Sequence, residues 1–365
     1  MTTPRPAAAA GATDSSSDVV AITAGDPCGI GPEVILKALD RVPASAAVLV
    51  IGDLHVFARA AKTLRRRLPA WRTVGPDEPW DATTGQLSFL DCGHRQPFRL
   101  GRSSAQAGKA ALAYLDSAVD LWRAGRIQAI VTGPVTKWAI ARVAPGFVGQ
   151  TEHLARAMGA RDVVMMFVSD RLRVVLLTRH LPLRRVAQKL DARLLRTTLR
   201  VAAQALAVQF RIPRPRLALC GLNPHAGEEA RCGAEEEQLI RPVLRELRRE
   251  GLVCDGPFAA DGLFACLRQA KRLSAVPSGT GQAGGRQASS ARAYDAVVCP
   301  YHDQGLIPFK MLARDRGCQL SVGLPIVRTS PDHGSALDIA GQGIAHPGSM
   351  RYAIQLAAKL IAAQR

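Results

Sequence analysis

The 365-residue chain lacks several features that would place it quickly. It has no uninterrupted run of 18 apolar residues, so no segment reads as a membrane span. Its eight cysteines, at positions 28, 92, 220, 232, 254, 266, 299 and 318, form no CxxC pair. That excludes a four-cysteine zinc site and fits reduced thiols in a cytoplasmic protein. Aromatic residues make up only 5% of the chain, and no aromatic-basic platform or nucleic-acid module accompanies the formal net charge of +18. The charge is mostly arginine, spread along the chain with small clusters at 64–68, 183–185 and 247–250. It reads as a solvated basic surface suited to a small anionic substrate, with neither nucleic acid nor membrane as partner. Residues 1–17, MTTPRPAAAAGATDSSS, have no apolar h-region and read as a disordered leader, not a signal peptide.

What is present is an alternation of apolar runs and amphipathic stretches. VVAIT (19–23) precedes the helical pattern PEVILKALD (32–40), and AAVLVIG (46–52) precedes HVFARAAKTLRRRL (55–68). Further strand candidates are 129–133, 162–168, 172–178, 216–222 and 295–300, with long helical patterns at 107–125 and 194–210. Continuous apolar strands between helices predict an α/β protein with a largely parallel sheet covered on both faces.

Residues 272–294 break the pattern, with a loop composition rich in Ser, Gly, Ala and Gln. Inside them GTGQAG (279–284) matches the dinucleotide fingerprint G-x-G-x-x-G. The fingerprint works only where a strand feeds a glycine turn that opens a helix, whose N-terminus meets the pyrophosphate. Neither flank has that character, so the match reads as an accident of composition in an inserted surface loop. The glycine turn with the right flanks is ITAGDPCGIGPEVILKAL (22–39), where Pro32 sits near the first helical position. Its spacing is not the fingerprint, and Asp53, near the end of the second strand, runs on into a helix. The turn reads either as a tight domain-edge connection or as a loop facing a cleft.

Several polar stretches follow strand-like runs, where open α/β sheets place their ligands. Three bring a histidine beside Gly or Pro: TRHLP with His180, NPHAG with His225 and PYHDQG with His302. Three neutral imidazoles with a fourth position open make a catalytic divalent-metal site; singly, each also reads as a surface or capping residue. Asp303 could hold a ligand or move a proton, or simply cap the helix that follows. Lysine is scarce, so Lys137 and Lys310 stand out beyond strand-end loops. Lys310 and Arg328 could bind a phosphate or carboxylate, Arg328 by a two-pronged contact, or could be solvated cations.

Six of these stretches, in this order, resemble the signatures of the 4-hydroxythreonine-4-phosphate dehydrogenase family. They are ITAGDPCGIGPEVILKAL, VTGPVTK, GQTEHLA, NPHAGE, YHDQGLIPFK and GLPIVRTSPDHGSALDIAG, and the likeness covers roughly residues 19–360. The resemblance implies oxidation of the 3-hydroxyl of 4-phosphooxy-L-threonine by NAD or NADP, then decarboxylation to 3-amino-2-oxopropyl phosphate in pyridoxal phosphate synthesis. It implies an isopropylmalate-dehydrogenase-like fold, with two α/β/α domains flanking a central cleft. Residues 18–135 and 295–365 would form the cofactor side, and 136–294 the metal and dimer side. A homodimer would complete each site at the subunit interface.

The same resemblance places one divalent ion (Zn2+, Mg2+ or Co2+) on His180, His225 and His302. It places substrate contacts on Gln150, Thr151, Lys310, Gln319 and Arg328. Catalytic roles fall on Asp303, Lys310 and Asp261. The adenosine end of the cofactor falls near His333, Gly334, Ser335, Ala336 and Asp338. Two positions depart from the family pattern: Gln150 stands where His is usual, and Gln319 where Asn is usual. Both can hydrogen-bond but neither is cationic, which bears on the substrate more than on the reaction. The rival within the class is a dehydrogenase of another hydroxy-acid phosphate or of a dihydrodiol carboxylate. A three-histidine hydrolase or lyase would leave HGSALDIAG without a role, and a nucleic-acid-binding protein would rest on charge alone.

Overall fold

The computed structural model describes residues 18–41, 45–75, 78, 82–269 and 294–365. The leader 1–17 and the GTGQAG stretch lie outside the described residues. Tyr294, expected as the end of the inserted loop, belongs instead to the core: it is buried, and its hydroxyl donates to Asp255 at 2.9 Å.

Apolar runs become strands wherever both faces can be covered. In the first half they are β1 (Val19–Thr23), β2 (Ala47–Gly52), β3 (Arg72–Val74), β4 (Leu87–Asp91) and β5 (Ala129–Thr132). Then come β6 (Val164–Ser169), β7 (Arg173–Leu176), β8 (Arg216–Cys220) and β9 (Val253–Phe258). The last three are β10 (Ala296–Cys299), β11 (Gly317–Val322) and β12 (Val327–Pro331). They form one sheet in the order β3-β4-β2-β1-β5-β12-β11-β6-β7-β10-β8-β9.

Most pairs are parallel, as the sequence predicts, but β12-β11-β6-β7 at the centre are antiparallel neighbours. For β6-β7 and β11-β12 the cause is chain length: the links 170–172 and 323–326 are too short for a crossover helix. β10 lies between β7 and β8, so the chain returns to the first half only after the helix that follows β10, not at residue 295.

The helices are α1 (Gly31–Ala38), α2 (Leu54–Thr63), α3 (Ala105–Arg123), α4 (Lys137–Ala141), α5 (Gln150–Ala157) and α6 (Val186–Lys189). They continue with α7 (Ala192–Val208), α8 (Arg241–Arg249), α9 (Ala260–Gln269), α10 (His302–Ala313) and α11 (Gly348–Ala362). Ser104 caps α3 by accepting from Ala107 N at 3.2 Å, and Asp191 caps α7 by accepting from Leu194 N at 2.7 Å. α11 and α3 cover β1, while α10 lies against β7 and β10. Leu306, Phe309 and Ala313 form the buried stripe of α10, packed with Val174, Leu176 and Val297. That packing fixes where the first residue of α10, His302, stands. All eight cysteines are free, and among the described residues no helix is long and apolar enough to cross a membrane.

Asp53, just after β2, is fully buried. It accepts from the His94 backbone N–H at 3.0 Å, from His94 Nδ1 at 3.1 Å and from the Tyr114 hydroxyl. Burial, then the Asp53 charge, pushes the Tyr114 phenol well up, so it stays protonated and donating. Removing a donor from a buried carboxylate leaves it undersatisfied. Tyr114→Phe is therefore expected to lower the unfolding free energy by about 1–3 kcal/mol, read from urea denaturation. A variant as stable as the parent would show that His94 satisfies Asp53 alone.

Candidate active site

The antiparallel centre of the sheet forms the floor of a cleft of about 630 Å³. In the ladder, Ser321 faces Arg328, Gln319 faces Ser330, and Phe167 and Met165 stand beside Gln319 and Ser321. Side chains two apart on a strand share a face, so these six line up on one side of the sheet. Four are polar or charged, and all four are buried.

Arg328 is the centre of this floor, only 3% exposed and with no carboxylate in ion-pair contact among the described residues. Its Nη1 donates to Gln319 Oε1 at 2.6 Å, Ser321 Oγ at 3.0 Å and Thr151 Oγ1 at 3.3 Å. Its Nη2 donates to Thr132 Oγ1 at 2.6 Å and Gln150 Oε1 at 2.9 Å. Nε finds no partner. Burial pushes its pKa down to about 10, which leaves it cationic at neutral pH. The two-pronged contact expected of Arg328 is thus not open: both terminal nitrogens already serve oxygens of the protein. The arginine supplies charge and holds Gln150, Thr151 and Gln319 in place. Gln150 is fixed a second time, donating to Gly133 O at 2.9 Å, and Gln319 Oε1 also accepts from Ser330 Oγ at 2.8 Å.

On the cleft wall the His180 and His302 rings lie 5.8 Å apart between centroids, a separation that one ion bonded to a nitrogen of each can span. Partial burial lowers the His180 pKa first, and the charges of Lys137, His302 and Arg179 lower it further. Both changes favour the neutral imidazole a metal needs. His302 Nδ1 and Asp303 Oδ1 are 2.6 Å apart, the outer contact that orients a ligating imidazole. Asp303 is not a helix cap: Tyr301 holds that place, and Asp303 lies in the first turn of α10. Lys310, further along the same helix, is exposed to the cleft and donates to Asp332 O at 3.3 Å.

His225 and Asp261 do not join this wall; both are exposed and outside the cleft lining of their own chain. Among the described residues no three His, Cys, Asp or Glu side chains are grouped to hold a metal. One chain therefore offers two of the three expected ligands. His225 sits in a turn of unusual backbone, with His225, Ala226, Glu228, Glu229 and Ala230 all at φ between 42° and 69°. Such residues cost on the order of 1–3 kcal/mol each, so the surroundings must hold the turn. Glu236, fully buried, does so by accepting from the Leu222 and Asn223 backbone N–H groups, each at 2.8 Å.

His333 and Gly334 line the cleft, and the loop after them is seated on the glycine turn 24–31. Ser335 O accepts from Ile30 N at 3.0 Å, and Ser335 Oγ lies 2.8 Å from Thr136 Oγ1. A Cβ on Gly29 would stand 2.7 Å from Ser335 O, so only glycine allows this approach. Ala336 is held at φ +39° and Asp338 is exposed. The glycine turn is thus the bed of the loop expected to meet the cofactor. Thr132, Ser321, Ser330 and Glu236 escaped the sequence reading; the available signal was the alternation of Gln319 with Ser321 and of Arg328 with Ser330.

The model of the pyridoxal phosphate biosynthetic protein PdxA family matches residues 44–357. A 4-hydroxythreonine-4-phosphate dehydrogenase of Desulforapulum autotrophicum is 39% identical over 344 residues, covering 93% of this chain and 94% of the relative. The crystal structure of a 4-hydroxythreonine-4-phosphate dehydrogenase from Klebsiella pneumoniae superposes with a TM-score of 0.78 at 31% identity, covering 97% and 100% of the two chains. A terephthalate 1,2-cis-dihydrodiol dehydrogenase from Burkholderia xenovorans superposes with a TM-score of 0.58 at 30% identity, covering 94% and 98%.

Arg328→Met removes the buried charge and releases the side chains it holds. Inorganic phosphate binding, read by calorimetry, is expected to weaken about tenfold or more, because the buried charge and the ordered Gln150, Thr151 and Gln319 are lost together. Arg328→Lys is expected to restore only part, because one ammonium cannot reach all five oxygens. Unchanged phosphate affinity in Arg328→Met would move the anion site elsewhere.

Proposed function

The chain belongs to the PdxA family of pyridoxal phosphate biosynthetic proteins, and on that premise we propose that it is a 4-hydroxythreonine-4-phosphate dehydrogenase. It oxidises the 3-hydroxyl of 4-phosphooxy-L-threonine with NAD or NADP, and the keto acid decarboxylates to 3-amino-2-oxopropyl phosphate. The observation that carries the reading is Arg328, a buried cation without a carboxylate partner among the described residues, on the floor of a cleft that also holds His180 and His302.

A divalent ion (Zn2+, Mg2+ or Co2+) held by His180 and His302 would supply the acidification of the substrate hydroxyl, and a nicotinamide cofactor beside the loop from His333 would supply the hydride acceptor. The chain's own residues do the rest. Arg328 and Lys310 offset the phosphate charge, and Gln150, Thr151 and Gln319 hydrogen-bond the substrate. Asp303, exposed and outside the cleft lining, acts through His302, whose ring it orients. The loop from His333 to Asp338 receives the adenosine end of the cofactor. His225 and Asp261 stand outside the cleft, on a turn and a helix packed against each other, so they serve the site of a second copy. The protein works as a homodimer in which the partner subunit's His225 completes the metal site.

Gln150 and Gln319 favour a second reading, since both touch Arg328 and depart from the family's usual residues. The likeness to a dihydrodiol dehydrogenase supplies the alternative substrate, a cyclic diol carboxylate. NAD(P)H formation on a panel of hydroxy-acid phosphates and dihydrodiol carboxylates, with each metal added, separates the two. If the phosphorylated threonine is the substrate, Gln150→His should change kcat/KM only a few-fold, because Gln150 already hydrogen-bonds there. If the wild type is slow on it, and Gln150→His with Gln319→Asn improves it, the chain has diverged to another acid.

The metal site has its own test. His180→Ala, His225→Ala and His302→Ala are each expected to lose most bound metal and turnover while keeping the far-UV spectrum. Mixing His180→Ala with His225→Ala subunits should then restore part of the activity, because one site of each mixed dimer is intact. No recovery on mixing, with subunit exchange demonstrated, would place all three ligands in one chain.

A further inference from the structure

Lys137 has no assignment in the reading above. It lines the cleft, is exposed into it, and has no ion-pair partner among the described residues. The nearest carboxylate on the wall, Glu152, is committed to Arg179 at 3.3 Å. Lys137 is the first residue of α4, the end of a helix where a cation is disfavoured by the backbone dipoles, so helix stability does not explain it. Gly149 leaves it room: a Cβ there would stand 3.5 Å from Lys137 Nζ and 2.7 Å from Glu152 Oε2. Lys189 also lines the cleft, but the cation whose field acts most on His180 is Lys137.

That position matters for a β-hydroxy acid. If the hydroxyl carbon sits at the His180–His302 pair, the carboxylate carbon lies two bonds away, beside the same pair. Arg328 and Lys310 are taken by the phosphate, so the carboxylate needs another cation. A carboxylate brought out of water without one is costly.

We propose that Lys137 binds the substrate carboxylate, the group later lost as CO2, and so selects hydroxy acids over amino alcohols that lack it. The inference rests on the dehydrogenase reading, and its test separates the two. Lys137→Met, Lys137→Arg and wild type are compared on 4-phosphooxy-L-threonine and on 3-amino-2-hydroxypropyl phosphate, the same molecule without its carboxylate. Lys137→Met should raise KM for the acid about tenfold or more and leave KM for the amino alcohol within about twofold. Lys137→Arg should recover most of the loss. An equal rise on both substrates, or none on either, overturns the proposal.

A binding arm runs beside the kinetics, with phosphoserine and phosphoethanolamine titrated calorimetrically into wild type and Lys137→Met. The wild type should prefer phosphoserine, and the variant should lose that preference. If the wild type oxidises neither substrate, the named reaction falls, and this binding comparison alone decides the role of Lys137. A preference retained in the variant sinks it.

Discussion

A guanidinium buried without a counter-ion is the constraint around which the centre of this protein is arranged. Leaving a charge out of water costs several kcal/mol unless dipoles replace the lost hydration. At Arg328 the replacement comes from five neutral oxygens on three different segments, β5, α5 and β11. Each must be polar and buried at once, and the strands must alternate so that Gln319 and Ser321 point where Ser330 and Arg328 do. An apolar residue at any of these places would leave a donor stranded. The antiparallel centre follows from short links, but its polar character follows from the arginine.

The charge left over on that floor sets the chemistry of the cleft. Lys137, Arg179, Lys189, Lys310 and Arg328 line it, against Glu152 and Asp332. Burial first and the surrounding cations next shift His180 towards its neutral form, while an incoming polyanion gains at every contact. The same field would repel a cationic substrate, so the cleft discriminates by charge before any hydrogen bond forms.

The strands buried on both faces were legible because their apolar runs are continuous: β1, β2, β5, β7, β8 and β10 fall within a residue or two of the periodicity. β11 carries no strand signal in the sequence and β12 falls within a polar stretch, because their cleft-facing residues are hydrophilic, the reverse of an ordinary buried strand. Function overrode the hydrophobic pattern there, so the pattern was silent where the site lies. His180, His302, Gln150, Thr151, Gln319 and Arg328 line one cleft. His225 and Asp261 stand outside that lining, and nothing in the spacing of a single sequence tells which strand-end loops converge. The saturation of the Arg328 fork was likewise unreadable, because it depends on oxygens from distant segments.

The sheet runs unbroken through the cleft floor, and this has a mechanical consequence. β12 and β11 carry the anion-facing residues and are joined by backbone ladders to β5 on one side and β6 on the other. Any closing of the two halves must bend those ladders elastically, since no linker there can swivel. The floor therefore acts as a leaf spring: its residues keep their mutual register because each strand is laddered on both sides. Positional precision then resides in the part of the cleft that is tied on both sides.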